Sequence, residues 1–302
     1  MSHKSCLAFE IGTEEIPAFD LHKATIQLES LAKDALCAAR IEFEDLSIYS
    51  TPRRLVVLVQ GLASSSLELL EEFKGPKVSI AYDGEGKPSK AACGFARSKG
   101  LEFEDLEVRE LDGVEYLYAS RIISAQSTQE LFPAILRGLI QDISWPKSCK
   151  WGSSSEYFSR PVRWILALLD DVCIPLEFAG VKSSNKTCGH RVLSPGMYEV
   201  AHAQDLLSTL RALSLVPSEA EREALILEQV ACIEKETGFT ARIPEKTLAE
   251  VVNLCEAPDV LCASFDEGFL SVPEEIIVDA MLMHQRYFPL YNEEKLTNKF
   301  II

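Results

Sequence analysis

The sequence lacks the marks of a membrane-spanning or secreted protein. Its longest apolar stretches, such as residues 55–59 and 165–169, are far shorter than the roughly 20 residues needed to cross a bilayer. The first residues have neither the apolar run nor the small-residue cleavage site of a signal peptide. Nine cysteines are present, but no two form a C-x-x-C pair, which argues against a disulfide framework and a zinc site. We therefore predict a cytoplasmic protein without membrane contact.

Motifs for nucleotides and for common catalysts are missing too. There is no G-x-x-x-x-G-K-[ST] loop, and residues 83–86 predict a turn rather than a dinucleotide-binding loop. No G-x-S-x-G elbow occurs. His190 and His284 lack a second ligand at the i+3 or i+4 position. The sequence thus predicts no catalytic residue and no metal ligand in this chain.

Positive charge is scarce, because 30 lysines and arginines stand against 46 acidic residues, for a net charge of −16. This balance argues against a DNA partner or a protein that coats nucleic acid non-specifically. One segment differs, residues 147–164, where cations alternate with aromatic residues. Such a mixture can bind phosphates and stack on bases. From composition alone, packing of the aromatic rings in the core remains the favoured alternative.

With 302 residues and 47% hydrophobic content, the chain can bury a substantial core. Periodicity predicts a strand at residues 6–11 and a helix that Pro17 opens. Further predicted elements are a strand at 55–59, a helix capped by Ser89, hairpin arms at 162–169 and 172–178, and a helix from Ser218 to Gly238. The elements follow no βαβ repeat, so we predict an α+β fold with a mixed, largely antiparallel sheet and packed helices. Residues 1–200 are predicted as one domain and 201–302 as a helix-rich second part.

Six segments together resemble a known family. They are E-I-G-T-E-E-I-P at 10–17, T-P-R-R-L at 51–55, G-K-P-S-K-A-A-C-G-F-A-R at 86–97, F-S-R-P-V-R-W at 158–164, G-H-R at 189–191 and Q-R-Y-F-P-L-Y at 285–291. In this order they resemble the beta subunit of the two-subunit bacterial glycyl-tRNA synthetase. The resemblance covers nearly the whole chain.

The resemblance implies an α2β2 enzyme that joins glycine to tRNA-Gly at the expense of ATP. It places the active site, with ATP and Mg²⁺, in the alpha subunit, and assigns tRNA binding and assembly to the beta subunit. It also implies an HD-like and an anticodon-binding domain beyond this chain, and likens the first part to the B3/B4 module of phenylalanyl-tRNA synthetase. A separate beta subunit and a fused alpha-beta chain both remain open. The alternatives are an editing or deacylase-like module and a purely structural interaction domain.

For RNA contact, the candidates are the cations of the aromatic segment and of two further motifs: Lys147, Lys150, Arg160, Arg163, Arg191, Arg53 and Arg54. Strand alternation predicts that Val162 and Trp164 face one side, with Trp164 buried, and that Arg163 is the freer residue. Glu14 and Glu15 precede the helix that Pro17 opens, where the helix dipole favours negative charge. We predict a structural rather than a catalytic role for these two carboxylates.

Overall fold

The computed structural model describes residues 4–83 and 86–302. Strands and helices alternate irregularly, which confirms the predicted α+β class. In chain order they are β1 (Ser5–Thr13), α1 (Ala18–Ala38), β2 (Asp45–Thr51), β3 (Arg54–Leu62), β4 (Leu69–Lys77), α2 (Val78–Ala81), α3 (Lys90–Ser98), β5 (Glu107–Leu111), β6 (Val114–Ile123), α4 (Thr128–Asp142), β7 (Val162–Leu169), β8 (Val172–Cys173), β9 (Glu177–Phe178), β10 (Val181–Ser184), β11 (Lys186–Cys188), β12 (Met197–Glu199), α5 (Leu206–Ala212), α6 (Glu219–Thr237), β13 (Thr240–Ala241), α7 (Glu245–Val252), β14 (Cys262–Ser264), α8 (Glu274–Asp279), β15 (Phe288–Asn292) and β16 (Lys295–Ile301).

A seven-stranded mixed sheet forms the centre of the larger part of the chain, in the order β2-β3-β1-β7-β10-β9 with β8 paired to β7. Strand β1 lies between β3 and β7 and is antiparallel to both, whereas β10 runs parallel to β7. The apolar side chains of β1 point to both faces of the sheet, as expected for a strand that is covered on both sides. Phe9 belongs to the core cluster shared with α1 and α4, and Ala8 to the cluster shared with α5.

Helix ends follow the predicted signals. Pro17 immediately precedes α1 with a φ of −57°, a value that proline imposes and that suits a helix start. The hydroxyl of Ser89 accepts a hydrogen bond from the Ala92 backbone N–H, and α6 ends at Gly238 in the left-handed region with a φ of 71°. Capping and glycine termination thus place these ends as the sequence predicts. The predicted turn at 83–86 includes Gly84 and Glu85, which lie outside the described residues.

One local prediction holds in part and another is wrong. The predicted hairpin forms where β8 pairs with the end of β7, but its second arm is interrupted at Pro175, since β8 ends at Cys173 and the next strand, β9, pairs with β10 instead. A proline cannot donate to the ladder of hydrogen bonds, which explains the break. Strand alternation predicts Val162 on the Trp164 face of β7, away from Ile165. In the structure Val162 packs in the same core cluster as Ile165. The cause is a register shift between Gly12 and Thr13, which adds a bulge to the pairing of β1 with β7.

The chain divides into two compact units, Ser65–Thr128 and the combination of Met1–Ser64 with Gln129–Ile302. The smaller unit, here called the inserted unit, has a three-stranded antiparallel sheet, β4-β6-β5, with Leu117 packed against Ala92 of α3. Its ends meet, because the Ser66 backbone N–H donates to the Gln126 carbonyl over 2.9 Å. The predicted domain boundary at residue 200 stays a prediction. The two compact units of the structure are residues 65–128 and the remainder of the chain.

Residues 201–302 contain a sheet of their own, β13-β15-β16-β14, packed on α6 and α7. Arg222 of α6 joins this part to the large sheet. Its fully buried guanidinium donates to the carbonyls of Ser50, Val216 and Val252 over 2.7 to 2.8 Å. Burial lowers the pKa of Arg222. Within residues 4–83 and 86–302, no helix is long and apolar enough to cross a bilayer.

Candidate functional site

Arg54, at the start of β3, is the centre of a buried polar cluster. Its Nη1 donates to Glu10 Oε1 over 2.9 Å and to the Cys188 carbonyl over 3.0 Å, while Nη2 lies 3.2 Å from Glu256 Oε1. The hydroxyl groups of Thr51 and Thr187 accept from Nε and Nη1 over 3.2 and 3.3 Å. We call Glu10, Thr51, Arg54, Thr187 and Glu256 the Arg54 network. Arg54 therefore presents no charge to an RNA in this structure, because its side chain has no exposed surface.

Electrostatics in the network are dominated by burial. Desolvation raises the pKa of the Glu10 carboxyl above its ordinary value, although Arg54, Thr187 and Trp164 act to lower it and Glu256 adds repulsion. The second carboxylate oxygen of Glu10, Oε2, accepts no hydrogen bond from the described residues. A carboxylate enclosed in this way cannot reach a substrate, so the geometry supports a stabilising role.

The raised pKa of Glu10 predicts a pH-dependent contribution to stability. A group whose pKa is higher in the folded than in the unfolded chain favours folding most below its unfolded value, here 4.5, and this contribution is lost as pH rises through the folded value. Glu10→Gln removes the titration. The free energy of unfolding of the parent, minus that of the variant, should fall as the pH rises above 4.5. Chemical denaturation of both proteins at a series of pH values measures this difference. A difference that grows with pH would show that Arg54 outweighs burial.

Trp164 covers one side of the network. The side chain is 4% exposed, which confirms the predicted burial, and its ring centroid lies 5.6 and 5.4 Å from the guanidinium carbons of Arg53 and Arg54. A Cβ atom added at Gly12 would lie 1.9 Å from the indole ring, far inside van der Waals contact. Glycine at position 12 therefore allows the ring to lie directly against β1.

At the surface, two carboxylates hold two of the candidate arginines. Glu14 lies 3.3 Å from Arg163 Nε and 2.6 Å from Arg191 Nη2, and Glu15 lies 2.7 Å from Arg191 Nη1. The hydrogen bond that Arg191 donates to the Glu14 carboxylate is the main cause that raises the pKa of Arg191. Arg163 is 60% exposed, in line with its predicted position, but it is paired. The positive charges of Arg163 and Arg191 are thus largely neutralised by their neighbours.

The remaining candidates lie in the loop before β7. Lys147 is exposed, and the Lys150 ammonium lies 4.6 Å from the Tyr157 ring centroid. Half-buried Arg160 donates to the Ser159 carbonyl over 2.9 Å. Phe158 is fully buried, and Trp151 packs against the core that contains it. Six of the seven candidate cations fall into three environments: the Arg54 network contains Arg54, the Glu14 and Glu15 cluster contains Arg163 and Arg191, and this loop contains Lys147, Lys150 and Arg160.

Sequence reasoning missed Thr51, Thr187 and Glu256 as members of the network. Glu256 is 202 residues from Arg54 in sequence, so no short-range spacing could have paired them. Arg53 also approaches Glu256, with 3.9 Å between Nη1 and Oε2. In the part of the chain that the structure describes, no three His, Cys, Asp or Glu side chains form a group that could hold a metal ion.

The Glu14 and Glu15 cluster should contribute little stability. Exposed ion pairs contribute about 0 to 1 kcal/mol each, so the double substitution Glu14→Gln with Glu15→Gln should lower the unfolding free energy by only about 1 kcal/mol. Chemical denaturation of the variant and the parent measures this loss. A loss well above this size would show that the ion pairs of the cluster hold the fold together.

Comparison with known proteins supports the resemblance. The family model of the glycyl-tRNA synthetase beta subunit matches residues 7–302. The chain belongs to the glycyl-tRNA synthetase beta subunit family. It is 41% identical over 293 residues to the glycine–tRNA ligase beta subunit of Desulforamulus reducens, covering 97% of this chain and 42% of that protein. For the subunits of Syntrophomonas wolfei and Moorella thermoacetica the identity is 38%, over 95% and 98% of this chain and 42% and 43% of theirs. The chain thus spans about two fifths of the length of these relatives.

In this member of the glycyl-tRNA synthetase beta subunit family, several of the six sequence segments that carry the family resemblance meet at the Arg54 network. Glu10 and Gly12 come from the first segment, Arg54 from T-P-R-R-L and Trp164 from F-S-R-P-V-R-W. G-H-R contributes Arg191 to the neighbouring Glu14 and Glu15 cluster. These segments are far apart in sequence, and the fold brings them to one end of β1, β3 and β7.

Proposed function

We propose that this chain is a non-catalytic region of glycine–tRNA ligase that contributes tRNA binding and assembly with the catalytic alpha subunit. The enzyme would be a cytoplasmic α2β2 complex that charges tRNA-Gly with glycine, using ATP and Mg²⁺ in the alpha subunit. Family membership supports the assignment to the ligase.

The observation that carries the non-catalytic role is the burial of two charged residues, Glu10 and Arg54, that belong to the segments carrying the resemblance. Glu10 and Arg54 have no exposed side-chain surface and are paired over 2.9 Å. A general acid or base must come within hydrogen-bonding distance of the proton that it moves. Groups enclosed in the Arg54 network cannot do so without unfolding the site. Their arrangement favours a scaffold over an editing or deacylase-like module.

Reconstitution tests the proposal. The complete beta subunit that contains this region would be purified alone and with the alpha subunit, and glycine-dependent ATP–pyrophosphate exchange and tRNA charging would be measured. We expect no exchange by the beta subunit alone, and charging only when it binds the alpha subunit. Exchange by the pure beta subunit would contradict the non-catalytic role, and hydrolysis of aminoacylated tRNA by it would support the editing alternative.

Salt dependence separates tRNA binding from a purely structural role. A protein that neutralises phosphates loses affinity linearly in log Kobs against log salt, because counterions are released on binding. The beta subunit should show this slope with tRNA-Gly. Absence of measurable tRNA binding by a folded, assembled beta subunit would favour the structural interaction domain.

A further inference from the structure

The inserted unit separates its cations into two groups. Arg109 lies 2.6 Å from Glu72 and 2.7 Å from Glu107, and Arg121 lies 2.5 Å from Glu71. These arginines are neutralised locally. Residues 74–99 carry six lysines and arginines against two acidic residues, in a chain of net charge −16. Most of the lysines and arginines of this unit therefore lie in one segment of its sequence.

Helix α3 exposes two of these cations on one side of the helix. Lys90 and Arg97 are exposed, and their separation of seven residues places them on the same side of the helix, about 10 Å apart along its axis. Gly94 lies between them, and a Cβ built there would have no atom within 4 Å. The first turn carries no acidic residue. Small residues between two cations leave room for an extended phosphate backbone to approach the helix.

Lys99, directly after α3, is held by an aromatic ring instead of a carboxylate. Its ammonium lies 4.1 Å from the centroid of the Phe73 ring. Such a contact orients the side chain but leaves its net charge available to an anion. Among the described residues, no carboxylate lies within ion-pair distance of Lys90, Arg97 or Lys99. We call Lys90 and Arg97 the α3 face; Lys99 lies about half a turn around the helix from Lys90, against Phe73.

We propose that the α3 face binds the sugar-phosphate backbone of tRNA. The proposal rests on the proposed function, since it assigns a location to the tRNA binding assigned to this region. Its partner is RNA rather than an anionic membrane, because the exposed residues of α3 are cationic or small and offer no large apolar side chain for insertion between lipids. Contacts of this kind carry no base specificity and act through charge and position.

The test is a pair of matched variants of the complete beta subunit, assembled with the alpha subunit. Lys90→Gln with Arg97→Gln removes two positive charges from the α3 face. Arg109→Gln with Arg121→Gln removes the same charge from the same unit where acids already neutralise it. The first variant should lower the salt slope of tRNA-Gly binding by about 1.4 to 1.8, at roughly 0.7 to 0.9 per phosphate contact. Its KM for tRNA should rise, with kcat and the KM for glycine unchanged.

The outcomes separate this proposal from the broader one. An unchanged slope in a folded Lys90→Gln, Arg97→Gln variant, with tRNA binding by the parent intact, overturns the α3 face alone. No tRNA binding by the parent removes the proposed function as well. Equal losses in both variants would assign the effect to net charge and contradict the proposal, as would binding to phosphatidylserine vesicles without any effect on tRNA. Retention of the slope by Lys90→Arg with Arg97→Lys would support it.

Discussion

Replacement of Arg54 by methionine is expected to lower the free energy of unfolding by about 3 to 5 kcal/mol. The substitution leaves two carboxylates, Glu10 and Glu256, buried without their common counterion, and it removes the donors to Thr187 and the Cys188 carbonyl. The loss is measured by equilibrium denaturation of the complete beta subunit, monitored with a spectroscopic probe located in the large sheet.

Two further variants serve as controls for the Arg54→Met experiment. Arg109→Met removes an exposed, paired arginine and should change stability by less than about 1 kcal/mol. Adding Glu10→Met and Glu256→Met to Arg54→Met should recover part of the loss, because apolar groups can replace a buried ion cluster. If Arg54→Met is as stable as the parent, the network does not hold the fold together as described.

Replacement of Trp164 by alanine should destabilise the fold by roughly 3 to 5 kcal/mol. The indole ring is nearly completely buried, lies against Gly12 and covers the guanidinium groups of Arg53 and Arg54. Its loss would open a cavity beside the most polar part of the core. Thermal and chemical unfolding of the variant measure the effect.

An exposed aromatic residue of the same segment supplies the control. Tyr157 is 57% exposed, so Tyr157→Ala should change stability by only about 0.5 kcal/mol. Gly12→Ala tests the packing from the other side, because the added methyl group must displace the ring and should cost about 1 to 3 kcal/mol. A small effect of Trp164→Ala together with tolerance of alanine at position 12 would contradict this packing.

Local features of the fold could be predicted from the sequence because their causes are local. Pro17, Ser89 and Gly238 mark helix ends through fixed dihedral angles and short-range hydrogen bonds. The burial of Trp164 follows from strand alternation in an apolar run. The face of Val162 could not be predicted in the same way, since it depends on a bulge that only the pairing of β1 with β7 creates.

The site was less predictable than the fold. Arg53 and Arg54 differ by one position in T-P-R-R-L, yet only Arg54 is fully buried. Arginine can pair with buried carboxylates as readily as with phosphate, and the deciding partner, Glu256, belongs to a distant part of the chain. The pairing of Arg163 and Arg191 with Glu14 likewise requires three segments to meet. RNA contact by Lys147, Lys150 and Arg160 stays a prediction.

The order of assembly on the ribosome follows from the sequence distances within the Arg54 network. Glu10 and Arg54 are 44 residues apart, so this pair can form early. Glu256 is made 202 residues after Arg54, which at 5 to 20 residues per second corresponds to a delay of roughly 10 to 40 s. During about the first half of this interval the nascent β1 and β3 also lack β7, while the inserted unit, residues 65–128, is synthesised completely before β7. The central sheet is therefore exposed to chaperones and to misfolding for longer than the unit inserted into it.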